Sequence, residues 1–200
     1  MQQKSIKQWA GLAAGEVHQL SVDMAPTPES VMDGSFQRAL AHSDQKDIVI
    51  YVPRRPEYSG EPTISLELSV DGKPGPYIRD VAKGTVVVDG ARDRVFYDMG
   101  WKQTWVMVDW PGTTNSRTSF CCYDEDGRPV TRADVAAYVS ISVCQFIVAA
   151  RKGKLQWGPQ CINKFTKQWD LKEVDYRDVR LMALNYYRNT WVPVLAFDCQ

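Results

Sequence analysis

Imidazole is scarce in this chain: His18 and His42 are the two histidines among 200 residues. A cysteine nucleophile needs a base within hydrogen-bond reach, and both histidines lie far in sequence from Cys121, Cys122 and Cys161. No Cys/His spacing suits zinc, and neither a Gly-x-Ser-x-Gly elbow nor a Gly-rich phosphate loop is present. The sequence therefore implies no cofactor and no metal. Charge of one sign is also lacking, since 24 Lys+Arg balance 24 Asp+Glu. No whole-molecule field draws the protein to nucleic acid or to an acidic membrane, so any anion site is local.

The opening residues "MQQKSIKQWAGLAAGEV" contain no apolar core of the signal-peptide kind, so export by the usual route is not expected. There is no Asn-x-Ser/Thr sequon, and the five cysteines (121, 122, 144, 161 and 199) are odd in number and irregular in spacing. A disulfide framework is not expected, and reduced thiols in a cytoplasmic compartment are.

What the chain does have is pattern. Its length suits a single α+β domain spanning 1–200. "SIKQWAGLAAGEVHQL" (5–20) places Ile6, Trp9, Leu12, Ala13 and Val17 at helical spacing, and "PTPESVMDGSFQRALAHSD" (26–44) follows as a second, interrupted helix. From Asp47 the period changes to two. In "ISLELSV" (64–70), Ile64, Leu66, Leu68 and Val70 share one face, and further strands are expected at "DIVIYV", "TVVVD", "RVFYD", "TWVMVDW" and "TSFCCY". Turn signals such as Asp71-Gly72 and Asp126-Gly127, rather than helices, separate them, which implies a mostly antiparallel, twisted sheet of about six strands. "TWVMVDW" is bulky on both faces and belongs at the sheet centre.

At Thr131 helical spacing returns, with Thr131 and Asp134 placed as a capping box. Val135 to Ala150 is then 16 residues without a charge. A membrane span needs about 20 apolar residues, and this run contains Ser140, Ser142 and Gln145. It reads as a largely buried helix, with Ala136, Ser140 and Cys144 letting it lie close against the sheet. "DYRDVRLMALNYYRN" (175–189) predicts a last helix through Val179, Met182, Ala183 and Tyr186, and "VPVLAF" a closing strand. Two N-terminal and two C-terminal helices thus frame the sheet. One arrangement wraps the sheet around the long helix and leaves a ligand cavity between them; the other is a sandwich with helical flanks, which leaves none.

The most distinctive stretch is "AARKGKLQWGPQCINKFTKQWD" (149–170), which carries five basic residues before its first acidic one, Asp170. Arg151 and Lys152 complement a helix C-terminus, and Gly153 suits the left-handed residue that ends it. Lys154, Trp157, Lys164, Phe165 and Lys167 continue as cations interleaved with aromatics, the pattern by which phosphates are tracked and bases stacked. They form the candidate polyanion site. "CCYDEDGRPV" places Asp124 and Asp126 where two carboxylates could hold a divalent metal, but Asp-Glu-Asp-Gly is an ordinary strand-ending turn.

These readings predict a non-enzymatic, self-associating structural or binding protein, a homo-oligomer whose basic, aromatic stretch contacts RNA, another polyanion or a neighbouring subunit, without membrane insertion. The alternative is a hydrolase or transferase using strand-end carboxylates such as Asp98 and Asp109 in a tryptophan-lined pocket.

Overall fold

The computed structural model describes residues 17–19, 48–114, 117–155 and 158–198, with backbone alone at 17–19 and at Ile48. Its strands are β1 (Val17–Gln19), β2 (Ile48–Tyr51), β3 (Ile64–Glu67), β4 (Ser69–Val70), β5 (Lys73–Pro74), β6 (Gln103–Met107), β7 (Arg117–Cys121), β8 (Val179–Tyr187) and β9 (Thr190–Asp198). The helices are α1 (Ile78–Ala82) and α2 (Arg132–Arg151).

Seven strands form one sheet and β4–β5 a separate hairpin. The sheet is built on β9. One edge of β9 pairs antiparallel with β8 along nearly its whole length. Its other edge is shared: β2 pairs antiparallel at 196–198, and β6 meets it in a parallel bridge, Val106↔Trp191. β3 extends the sheet beyond β8, β1 beyond β2 and β7 beyond β6, each pair antiparallel.

Alternation along β9 explains why it can sit there. Trp191, Leu195 and Phe197 face the main core with α2, whereas Val192, Val194 and Ala196 enter smaller apolar clusters with Val49, Tyr51, Met107 and Met182. An apolar strand on both sides is the mark of a sheet centre. β6 alternates likewise, Val106 entering the main core and Met107 a small cluster. The main core fills the space between α2 and the sheet with side chains including Val139, Val143, Phe146, Phe120, Leu181 and Trp110.

Several expected elements differ. Residues 17–19 are a strand rather than the end of a helix, because Val17, His18 and Gln19 pair with Ile50, Val49 and Ile48. The rest of the two predicted N-terminal helices lies outside the described residues. The predicted helix over 175–189 is the strand β8. Its register slips by one residue between Leu181 and Ala183. That bulge changes the parity, so Val179, Leu181, Leu184 and Tyr186 face the main core while Met182 and Ala183 face away. The broken alternation is what mimics helical spacing. β8 turns into β9 through Arg188 and Asn189, at φ 42 and 69, a two-residue hairpin turn without glycine. "TVVVD" is bent, irregular backbone that reaches a turn at Asp89, and "RVFYD" is a turn that runs into a 3-10 segment at Tyr97–Met99. α1 was not expected. The described residues thus show two α-helices and a mostly antiparallel sheet.

Candidate functional surface along helix α2

α2 begins where the sequence places it. The Asp134 amide donates to Thr131 Oγ1 at 3.3 Å, and the Thr131 amide donates to Asp134 Oδ2 at 2.8 Å, completing a reciprocal cap. The next amides are also satisfied, Arg132 by the Asp93 carbonyl at 2.8 Å and Ala133 by the Ala91 carbonyl at 3.1 Å. The Arg132 guanidinium donates to the Glu67 carbonyl at 2.8 Å and lies 3.1 Å from Asp93 Oδ2, pinning the helix start to the end of β3. At the other end Gly153 is left-handed at φ 66, and the amides of Gly153 and Lys154 donate to the carbonyls of Ala150 and Ala149 at 2.9 and 2.7 Å.

Between these ends one side is buried: Val135, Ala136, Val139, Ser140, Val143, Phe146, Ile147 and Ala150. The expectation of a largely buried helix holds for that side only. The opposite side carries Ala137, Tyr138, Ile141, Cys144, Gln145 and Val148 at or near the surface. An ordinary surface helix sets charges there; this one sets none between Asp134 and Arg151. By length and composition α2 could cross a bilayer, but its inner side is committed to the sheet.

Two clefts flank this outer side. One, of about 500 Å³, lies towards β7 and is lined by Thr118, Tyr138, Ile141, Ser142, Gln145 and Leu155. Tyr138 lies down on the strand, its hydroxyl donating to the Ser119 carbonyl at 3.2 Å and its ring 4.5 Å from that of Phe120. Ile141 is left projecting, 41% exposed. The second cleft, of about 510 Å³, lies towards α1 and holds Arg79, Lys83, Lys152 and Lys154 beside Cys144, Gln145 and Tyr176. Among the described residues that line it there is no carboxylate. Partial burial pushes the Cys144 thiol up to about 11, which keeps it protonated at neutral pH.

The predicted polyanion residues are divided by the fold. Lys154 lines the basic cleft; Lys164, Phe165 and Lys167 do not. Those three are exposed on a loop closed by Asn163, whose Oδ1 accepts from the amides of Phe165 and Thr166 at 2.9 and 3.2 Å. Lys164 Nζ sits 4.7 Å from the centre of the Phe165 ring. Trp157 lies outside the described residues. Trp169, from the same stretch, is a buried anchor. Sequence spacing missed Arg79 and Lys83, which α1 brings to Lys154 from about seventy residues away.

Other polar clusters tie the fold together. The Arg180 guanidinium donates to Asp198 Oδ1 at 2.5 Å, to the Gly75 carbonyl at 3.0 Å and to the Tyr77 hydroxyl at 3.1 Å. Tyr77 also donates to Asp198 Oδ2, so residues 75–77 are fastened onto the β8–β9 pair. Burial, then the bond to Asp198, raises the Tyr77 phenol above its ordinary range. Asp109, with a side chain 1% exposed, accepts from the Arg55 amide at 2.8 Å through Oδ2, and Arg55 Nε lies 3.1 Å from Oδ1 as an ion pair. Burial raises the Asp109 carboxyl above the usual range, outweighing the bond and charge of Arg55. Asp98, its proposed catalytic companion, is exposed on the 3-10 segment and is not among these partners. Asp124 Oδ1 accepts from the amides of Asp126 and Arg128 at 3.0 and 2.7 Å, and Asp126 pairs with Arg128, which is turn chemistry. Among the described residues no group of three or more His, Cys, Asp or Glu could hold a metal.

Compared with protein-family models, with curated proteins and with solved structures, the chain matches none.

Proposed function

We propose that this chain is a non-enzymatic, self-associating structural or binding protein, a homo-oligomer that presents the outer side of α2 to its partner. The observation that carries this reading is the outer side of a sixteen-residue uncharged run, Val135 to Ala150, half of which is buried against the sheet, with a cleft on either flank of the exposed half. An outward helix side without charge is costly to leave in water and is a feature of contact surfaces. The zero formal net charge supports the reading, because copies do not repel one another at long range. The strongest polar clusters spend their hydrogen bonds on the fold, as the Tyr77–Arg180–Asp198 set does, which favours a structural over a chemical role.

RNA or another polyanion is the alternative ligand, held by the cations of the basic, aromatic stretch. Size-exclusion chromatography with light scattering and absorbance at 260 nm separates the two readings. Self-association gives a multiple of the chain mass without excess absorbance at 260 nm; a monomer throughout the micromolar range overturns it. A nucleic-acid site at Lys154, Lys164 and Lys167 instead gives binding that Lys→Gln replacement of all three weakens, with a log–log salt slope flatter by roughly 0.7 per lost contact to a single strand.

A further inference from the structure

Resting on that self-associating reading, we propose that the partner is a second copy whose α2 lies antiparallel across the first, so that the acidic start of each helix meets the basic end of the other. Asp134, Ile141 and Val148 stand one heptad apart on the outer side, as do Tyr138, Gln145 and Lys152. The stripe they form begins with an exposed carboxylate, Asp134, and ends with an exposed ammonium, Lys152; every residue between is uncharged. A two-fold axis crossing the helix at the level of Val143 places residues equidistant from it opposite one another. Asp134 then faces Lys152, Tyr138 faces Val148 and Ile141 faces Gln145, and each contact occurs twice.

Charge selects this orientation over its reverse. A parallel pair would set Asp134 against Asp134 and Lys152 against Lys152, whereas the antiparallel pair matches both ends and opposes the two helix dipoles. Asp134 can serve both purposes, because both of its cap bonds, from the Thr131 amide and hydroxyl, go to Oδ2. The basic cleft adds Arg79, Lys83 and Lys154 around the place where the partner's Asp134 arrives.

Size requires the clefts as well as the stripe. A helix of this length presents a strip ~30 Å long and ~10 Å wide, roughly 300 Å² per copy, about half of what a specific interface of about 1,200 Å² in total demands. The flanking clefts supply the remaining surface, one receiving apolar groups beside Ile141 and the other acidic ones beside Lys152.

The test couples carboxylates to amines in the full-length chain with a zero-length carbodiimide reagent and maps the covalent dimer by mass spectrometry. The expected product joins Asp134 to Lys152. It cannot arise within one chain, because eighteen helical residues hold the two about 27 Å apart. Ile141→Glu is expected to abolish the dimer and Lys152→Glu to loosen it at least tenfold at low salt, with circular dichroism confirming that each variant is folded. A wild type that is monomeric at every concentration overturns both this proposal and the self-associating reading. An oligomer that persists in folded Ile141→Glu or Lys152→Glu, and that couples elsewhere, overturns the antiparallel contact and leaves self-association standing. Coupling of Lys152 to an acidic residue within 1–47 of its own chain assigns the face to that segment and likewise overturns the contact.

Discussion

The indole Nε1–H of Trp110 donates to the main-chain carbonyl of Trp169 at 2.8 Å, and Gln160 Nε2 donates to the same carbonyl at 3.0 Å. The Leu171 amide returns to Gln160 Oε1 at 3.1 Å. The second half of the basic, aromatic stretch is thereby stitched to the exit of β6, and its aromatic residues divide into anchor and surface. Trp169→Ala is expected to cost about 3–5 kcal/mol in denaturant unfolding, as large core truncations do. Phe165→Ala, at a site 75% exposed, is expected to stay within about 0.5 kcal/mol of wild type. Equal losses at the two sites would contradict this division.

Asp109 gives the fold a pH signature. Its carboxyl is raised in the folded state, chiefly by burial. The folded chain therefore holds this proton more tightly than the unfolded one. The stability it confers is complete below the ordinary carboxylate value and is lost as pH rises through the folded value. Between pH 3 and 7, wild type should lose stability relative to Asp109→Asn as pH rises, measured by urea unfolding of the two side by side. A difference that is flat or grows with pH contradicts the assignment.

The four described cysteines are free thiols of unequal availability, Cys121 and Cys161 exposed, Cys122 buried and Cys144 intermediate. Burial, with a smaller effect of neighbouring Cys121, pushes the Cys122 thiol up to about 11. Iodoacetamide at pH 8 followed by peptide mass mapping should label Cys121 and Cys161 well before Cys122 and Cys144. Reductant should leave the melting temperature unchanged, since loss of a structural disulfide typically costs 2–5 kcal/mol.

Gly112 and Gly127 offer a matched pair of left-handed glycines, at φ 79 and 74. Any Cβ in this conformation costs roughly 1–2 kcal/mol. At Gly127 an added Cβ meets nothing within 4 Å, whereas at Gly112 it comes 2.6 Å from the Cys161 carbonyl oxygen. That contact forces apart the bond from the Cys161 amide to the Gly112 carbonyl, which is 2.6 Å long. Gly112→Ala is expected to be less stable than Gly127→Ala by at least roughly 1 kcal/mol; equal thermal midpoints would refute the clash.

Much of the architecture is legible in local sequence. The alternation of Leu66 and Leu68, the Asp71-Gly72 turn at φ 51 and 73, the Thr131–Asp134 cap and the left-handed Gly153 are each settled by a few neighbouring residues. What escapes is settled at a distance. The bulge between Leu181 and Ala183 disguises a strand as a helix, and only pairing with β3 and β9 resolves it. α1 has five residues and no side-chain cap, too few to carry a periodic signal. The candidate surface was half visible: the charge-free run is plain in the sequence, but which side of it faces outward depends on where the sheet lies. Its basic cleft joins Arg79 and Lys83 to Lys152 and Lys154, a grouping that no spacing along the chain encodes.

β9 is the strand on which β2, β6 and β8 all converge, and it follows every one of them in the chain. Synthesis proceeds from the N-terminus, so β2, β3, β6 and β7 leave the ribosome with apolar faces and unpaired edges before the strand that organises them exists. The β8–β9 hairpin is a local contact and closes fast; docking the earlier strands onto it closes large loops and is slow. Acquisition of the sheet is thereby deferred until β9 has been made, and becomes all-or-none. A nascent chain halted before Thr190 has no seat for β2 or β6, and its loose edges make it a substrate for chaperones and for aggregation.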